Sequence, residues 1–154
     1  MGDCNGIGLE VFARAIHSLG KPEDLPCTFL LATNEDTLAE YAHKAKLACI
    51  VHQTNVELEG VQCTLLPCTQ QSTIEFGTVT REAGALAVEA LEKAVTAVLT
   101  GRADAVVTLP VSKFSMKRAG YLFPGQTEYV AERCGVSNPM MILCTSDIRV
   151  GLVT

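Results

Sequence analysis

The chain of 154 residues is 48% hydrophobic and 19% charged, with a formal net charge of −5, and that length accommodates one ordinary domain with its own core. No apolar run approaches the ~20 residues needed to span a membrane, and the start lacks the basic region and apolar segment of a secretion signal, so a cytoplasmic protein is expected. The lack of a Lys/Arg cluster and of Trp, with only 5% aromatic residues, excludes a nucleic-acid footprint and base-stacking platforms.

The chain opens with MGDCNGIGLEVFARAI. Three glycines precede an apolar stripe at Ile7, Val11, Phe12, Ala15, Ile16 and Leu19, which predicts a helix over 7–19. CTFLLAT (27–33) reads as a buried strand. Thr33 and Asp36 have the spacing of a capping box, which starts a second helix near Asn34 and carries it to about Leu47. ACIVH (48–52) and VQCTLLP (61–67) read as further strands. The longest helical signal runs from Thr80 to Leu99, with Gly101 placed to end it. DAVVTLP (104–110) is nearly continuous in apolar character and predicts a central strand buried on both faces, Val106 and Val107 included. A short helix over 112–118, a glycine-rich loop, a helix over 127–133 and two apolar strands, MMILCT and IRVGLVT, complete the series.

Strands alternating with helices imply an α/β fold built in layers on a largely parallel sheet. A glycine loop that opens a helix normally follows a strand, and Met1 leaves no room for one. The last residues stop in or directly after a strand. The expectation is one portion, residues 1–154, of a larger α/β protein, truncated at both ends.

Seven cysteines (Cys4, Cys27, Cys49, Cys63, Cys68, Cys134 and Cys144) form no CxxC pair. Most sit among apolar neighbours and read as small reduced core residues. His17, His43 and His52 have no ligand spacing, so no metal ligand is assigned to this chain.

Three stretches carry the chemistry. GDCNGIG is neither a dinucleotide fingerprint nor a Walker loop. Asn5-Gly6 favours a positive-φ turn, and Asp3 either orients a ligand hydroxyl or caps that turn. VVTLPVSKF sets Thr108, Ser112 and Lys113 beyond the carboxyl end of the expected strand, where ligands of open α/β sheets bind. Lys113 there either neutralises an anion or is solvated. In FPGQTEYVAE, Thr127 stands where a helix N-cap belongs. The helix start offers backbone N–H groups and positive dipole to an anion, with the Gln126 amide as a further donor. The plainer alternative is that Thr127 only caps and Gln126 faces water.

Taken together these stretches resemble the 4-hydroxythreonine-4-phosphate dehydrogenase family of vitamin B6 biosynthesis. The family's GDPAGIGPE is similar to GDCNGIGLE here, with Cys4, Asn5 and Leu9 departing from it. Its "G-ADALVTAPI-K" and "AG-FPGHTE" resemble GRADAVVTLPVSK and AGYLFPGQTE, and IRVGLVT resembles the strand that runs into Thr-His-Leu-Pro-Leu. The resemblance implies a layered α/β/α fold like that of isocitrate and isopropylmalate dehydrogenases, assembled as a homodimer. It implies NAD-dependent oxidation and decarboxylation of 4-phosphohydroxy-L-threonine to a phosphorylated aminoketone that feeds pyridoxal phosphate synthesis. A divalent metal (zinc, magnesium or cobalt), held by histidines of both subunits, would polarise the reacting hydroxyl.

Carried onto this sequence, the family's substrate-contacting His-Thr pair falls on Gln126 and Thr127, and Asp3 and Lys113 are candidate cleft residues. The first family metal ligand would follow Thr154, so neither a catalytic residue nor a metal ligand is assigned here, and the portion alone is expected to be inactive. Gln126 cannot become a cation, which weakens an ionic bond to phosphate by about half. That keeps open a paralogue acting on another phosphorylated or acidic hydroxy-acid, and a non-catalytic phosphate-binding module.

Overall fold

A computed structural model describes residues 1–19 and 27–152. The last two residues of the expected closing strand, 153 and 154, lie outside them. The elements in chain order are α1 (Gly8–Ser18), β1 (Phe29–Thr33), α2 (Glu35–Ala45), β2 (Cys49–His52), β3 (Asn55–Leu58), β4 (Val61–Pro67), α3 (Arg81–Leu99), α4 (Lys113–Arg118), α5 (Gln126–Arg133), β5 (Met141–Cys144) and β6 (Arg149–Leu152). The chain divides into a larger unit, Met1–Tyr121, and a smaller one that begins at Leu122.

In the larger unit four strands lie in the order β1-β4-β3-β2. β1 and β4 pair in parallel, from Phe29 opposite Cys63 to Thr33 opposite Pro67. β4, β3 and β2 form an antiparallel meander, because connections of two residues cannot make a parallel crossover. Glu59 and Gly60 both take positive φ (50° and 79°) between the paired Leu58 and Val61. That is the backbone of a two-residue type I′ hairpin. β3 is an element that the sequence reading did not anticipate; Val56 and Leu58 are its buried residues and Asn55 is exposed. Leu9, Ala13 and Ile16 of α1, Leu31 of β1, Leu38 and Tyr41 of α2, and Leu86 and Ala90 of α3 join the strands in one apolar core.

Residues 104–110 do not form the expected central strand. Val107 is 84% exposed, and the tie that the segment makes is from the Asp3 N–H to the Pro110 carbonyl, 3.0 Å. An apolar run becomes a buried strand only where neighbours offer it a ladder on both sides, and no described strand lies against this one. Two caps also differ from expectation. Pairing of β1 runs through Thr33, so the first residue free to cap α2 is Asn34, whose side chain accepts the Thr37 N–H at 3.2 Å. Gly125, not Thr127, is the N-cap of α5; Gln126 and Thr127 are its first two residues. Thr80 and Ser112, not singled out as caps in the sequence, cap α3 and α4, each accepting the N–H three residues on at 3.2 Å.

The cysteines are all free, and they divide. Cys4, Cys63 and Cys68 are buried, and Cys49 is half-buried. Cys27, Cys134 and Cys144 are exposed, so for those three the reading as core residues is corrected. Burial pushes the Cys63 and Cys68 thiols up to about 11. Cys144 belongs to β5, which pairs antiparallel with β6 in the smaller unit, and all eight residues of that hairpin are exposed. A two-stranded ladder with no described element covering its faces buries nothing, whatever its apolar content.

The helices α3 and α4 meet backbone to backbone. A Cβ added at Gly84 would lie 2.0 Å from the Ser115 carbonyl oxygen. The Ser115 hydroxyl is buried beside this contact without a hydrogen-bond partner. Gly84→Ala should therefore destabilise the chain by about 1–3 kcal/mol or more through overpacking. Ser115→Ala, which removes an unsatisfied hydroxyl and adds no volume, should be neutral or stabilising. Urea unfolding of the two variants checks the pair; a harmless Gly84→Ala would refute the contact.

Candidate functional site

The glycine loop is built for close approach. Gly2 has a positive φ of 73°, and a Cβ there would stand 2.6 Å from the Pro110 carbonyl oxygen. Only glycine tolerates both conditions. Asp3 is buried; its N–H donates to Pro110, and its Oδ1 accepts the Asn5 N–H at 2.9 Å. This is an Asx turn, in which a carboxylate imitates a backbone carbonyl to reverse the chain. One Asp3 oxygen therefore serves the turn.

The positive φ expected at Asn5-Gly6 is found at neither residue, because the left-handed backbone of this loop lies at Gly2, and Asn5 acts instead through its hydrogen bonds. It is 3% exposed, and every polar group it carries has a partner. Its Nδ2 donates to the Thr78 carbonyl at 3.0 Å and to Thr80 Oγ1 at 3.3 Å, and its Oδ1 accepts the Glu75 N–H at 2.7 Å. Its backbone N–H goes to Asp3, and its carbonyl accepts the Gly77 N–H at 2.9 Å. The loop is held from its other side by Tyr41, whose hydroxyl donates to the Gly6 carbonyl at 2.8 Å. Phe76 meets the Tyr41 ring edge-on at 5.1 Å. Arg118 of α4 then closes the arrangement by donating from Nη1 to the Val79 carbonyl at 2.8 Å.

Sequence reasoning found the loop and missed its partners. Asn5 stands where the family pattern quoted above has Ala, a side chain that could make none of these bonds. That departure was the available signal. Lys113 is exposed on the first residue of α4, behind the Ser112 cap, and Thr108 is exposed in the preceding segment. Asp3 and Lys113 thus belong to the larger unit, joined through the Pro110 segment.

Gln126 and Thr127 belong to the smaller unit. Gln126 is half-buried and Thr127 is exposed, and Glu128 completes the first turn of α5. Gly125 enters the helix in fully extended backbone and makes no side-chain cap hydrogen bond. Behind this entry, Tyr129 is buried, Phe123 packs edge-on against its ring at 5.3 Å, and Arg133 donates to its hydroxyl at 3.3 Å. The helix start is therefore anchored on its inner face.

Among the described residues, no three His, Cys, Asp or Glu side chains are grouped so as to hold a metal ion. His17, His43 and His52 lie exposed on α1, α2 and β2, far apart in role as well as in sequence. These residues do not fit the metal that the resemblance implies, and the loop lacks the glycine spacing of a dinucleotide site. Nor is any described helix long and apolar enough to cross a membrane.

The family model for "Pyridoxal phosphate biosynthetic protein PdxA" matches residues 25–154. A 4-hydroxythreonine-4-phosphate dehydrogenase of Prosthecochloris aestuarii is 31% identical, over 100% of this chain and 48% of its own. A Bradyrhizobium diazoefficiens relative, provisionally named D-threonate 4-phosphate dehydrogenase, is also 31% identical, over 100% of this chain and 46% of its own. The crystal structure of a 4-hydroxythreonine-4-phosphate dehydrogenase from Burkholderia phymatum shares the fold. It has a TM-score of 0.74 at 22% identity and covers 98% of this chain and 47% of its own. The chain spans about half the length of the curated relatives it matches.

The hydrogen-bond geometry ranks two substitutions. Asn5→Ala removes the buried amide that accepts from the Glu75 N–H and donates to Thr78 and Thr80, three bonds at once, and should destabilise by about 1–3 kcal/mol. Tyr41→Phe removes one neutral bond and should cost about 0.5–1.5 kcal/mol. Urea midpoints measure both, and the reverse order would show that Asn5 is not the principal tie.

Proposed function

The chain belongs to the family of the pyridoxal phosphate biosynthetic protein PdxA, and on that premise we propose that it is the N-terminal portion of an NAD-dependent dehydrogenase. The proposed reaction is the oxidation and decarboxylation of 4-phosphohydroxy-L-threonine to a phosphorylated aminoketone, carried out by a cytoplasmic homodimer with a divalent metal. The observation that carries the reading is the ordered set GDCNGIGLE, GRADAVVTLPVSK and FPGQTE along one chain. Since the described residues do not fit a metal, the proposal gives these residues the work of binding and no step of the chemistry.

Gln126 and Thr127 are proposed to receive the substrate's phosphate. Two backbone N–H groups at the start of α5, the helix dipole, the Thr127 hydroxyl and the Gln126 amide would each act on the anion. The dipole contributes about 0.3–1 kcal/mol at an exposed site, and a neutral hydrogen bond about 0.5–1.5. Those sums correspond to weak binding, so the cationic partners are proposed to come from elsewhere in the enzyme. Within the larger unit, Lys113 is proposed to offer a positive charge to an anionic group, and Asp3 to offer a ligand hydroxyl the carboxylate oxygen that its turn does not use.

A second reading is supported by the relative named for D-threonate 4-phosphate. The two substrates differ at carbon 2, an amine in one and a hydroxyl in the other, and share the phosphate. A protein of the relatives' full length, assayed for NADH formation with each substrate, decides between them. Preference for the amino substrate supports the first reading, and failure to oxidise either defeats both. The 154-residue chain alone should reduce no NAD with any divalent metal added, and turnover by it would overturn its placement as one portion of the enzyme.

Gln126→His restores the family residue and makes a pH-dependent prediction. An imidazole with a pKa near ~6.5 is a cation below that value, so the variant should bind phosphate more tightly than the parent at pH 5.5. The gain should vanish by pH 8, where the ring is neutral. Phosphate titrations of both forms at the two pH values, corrected for phosphate ionisation, test the position. An equal gain at both would mean that residue 126 does not meet the anion.

A further inference from the structure

Outside the residues that the family resemblance uses, the larger unit carries a groove of about 480 Å³ lined by Val79, Phe114, Lys117 and Arg118. Phe114, Lys117 and Arg118 are related as i, i+3 and i+4, so they share one face of α4. Val79 faces them from the segment between the Thr78 and Thr80 contacts of Asn5. The groove is therefore preset, since Arg118 fastens to the Val79 carbonyl and Asn5 fixes the residues on either side of it.

Its chemistry is uneven. Phe114 is 76% exposed and Val79 36% exposed, an aromatic face and an aliphatic edge left to water. The lining includes no carboxylate. The ion pairs among the described residues join Arg14 to Glu10, Lys44 to Glu40 and Lys93 to Glu89, so Lys117 and Arg118 lie outside them. In a chain of net charge −5, two cations with no ion-pair partner among the described residues stand beside an exposed ring. The charge asks for an anion, and the ring for a flat partner. Lys113, one turn earlier on the same helix, is not among the lining residues.

We propose that this groove binds a planar ring bearing a phosphate, with the ring against Phe114 and Val79 and the phosphate between Lys117 and Arg118. A nucleotide and a smaller ring phosphate share that chemistry. The site is independent of the dehydrogenase reading, because none of the four lining residues takes part in it. A preset groove binds without ordering its walls, which removes one of the ordinary costs of association.

The test titrates the full chain at constant pH with phenyl phosphate, adenosine monophosphate and inorganic phosphate, followed by backbone amide shifts. Saturable binding of a ring phosphate at least tenfold tighter than inorganic phosphate, with shifts in Val79 and α4, is the expected result. Whichever of the two ring phosphates binds more tightly identifies the source. Lys117→Gln and Phe114→Ala should each weaken that binding at least fivefold. Both side chains are exposed, so neither change disturbs the core, and Lys46→Gln at the C-cap of α2 serves as the control and should leave the affinity unchanged. Equal affinity for inorganic phosphate and the ring phosphates, or affinity unmoved by both groove variants, would overturn the proposal, as would the absence of saturable binding.

Discussion

A carboxamide taken out of water has two N–H donors and one strong acceptor to satisfy, and each left unpaired costs about 1–3 kcal/mol. Asn5 meets that demand by reaching across 70 to 75 residues of sequence to Glu75, Thr78 and Thr80. The consequences spread outward. Thr80 Oγ1 accepts from Asn5 and also from the Ala83 N–H that begins α3, so one oxygen joins the loop to the longest helix. Val79 is held between the two contacts and becomes a wall to which Arg118 of α4 attaches. Asp3, turned by its bond to the Asn5 N–H, directs its own N–H to Pro110 and so reaches the segment that leads to Lys113. One buried amide sets the relative positions of three loops and two helix starts.

The parts of this arrangement that sequence could reveal are the ones decided within a few residues. Thr80 and Ser112 announce α3 and α4, because a cap acts on an N–H three positions away. The alternation in VQCTLLP specifies β4 because side chains on a pleated strand change sides at each step. β3 escaped because NVEL is short and half polar. The Glu59-Gly60 turn that forms it relies on a positive φ at Glu59, which few glutamates adopt. DAVVTLP misled for the opposite reason: its composition suits a strand, but a ladder belongs to two segments and composition to one. Site residues follow the same division. Gln126 and Lys113 could be placed at helix starts from local pattern, whereas the partners of Asn5 are set by tertiary contact alone.

α4 illustrates how much a short element can carry. Its six residues begin on the Ser112 cap, present Lys113 beside the Pro110 segment, bury Ser115 and Met116 against α3, and turn Phe114, Lys117 and Arg118 outward. A helix this short has little intrinsic stability, since the first turn fixes several dihedrals for a single hydrogen bond. It persists through its packing on α3 and its tie to Val79. The cationic and aromatic residues on its outer face inherit their fixed positions from contacts on its inner face.

The meeting of Gly84 with the Ser115 carbonyl has a consequence for heritable variation. Most buried positions can drift through neighbouring sizes, each step compensated by a rotamer change nearby. Here the obstacle is main chain, which has no rotamer to change. Any lineage that replaces Gly84 must displace α4 as a body, moving Lys113 and the outer face of the helix together. A change at a site with no chemical role would then be felt by whatever ligand α4 meets, and selection on that ligand would act on a glycine that never touches it.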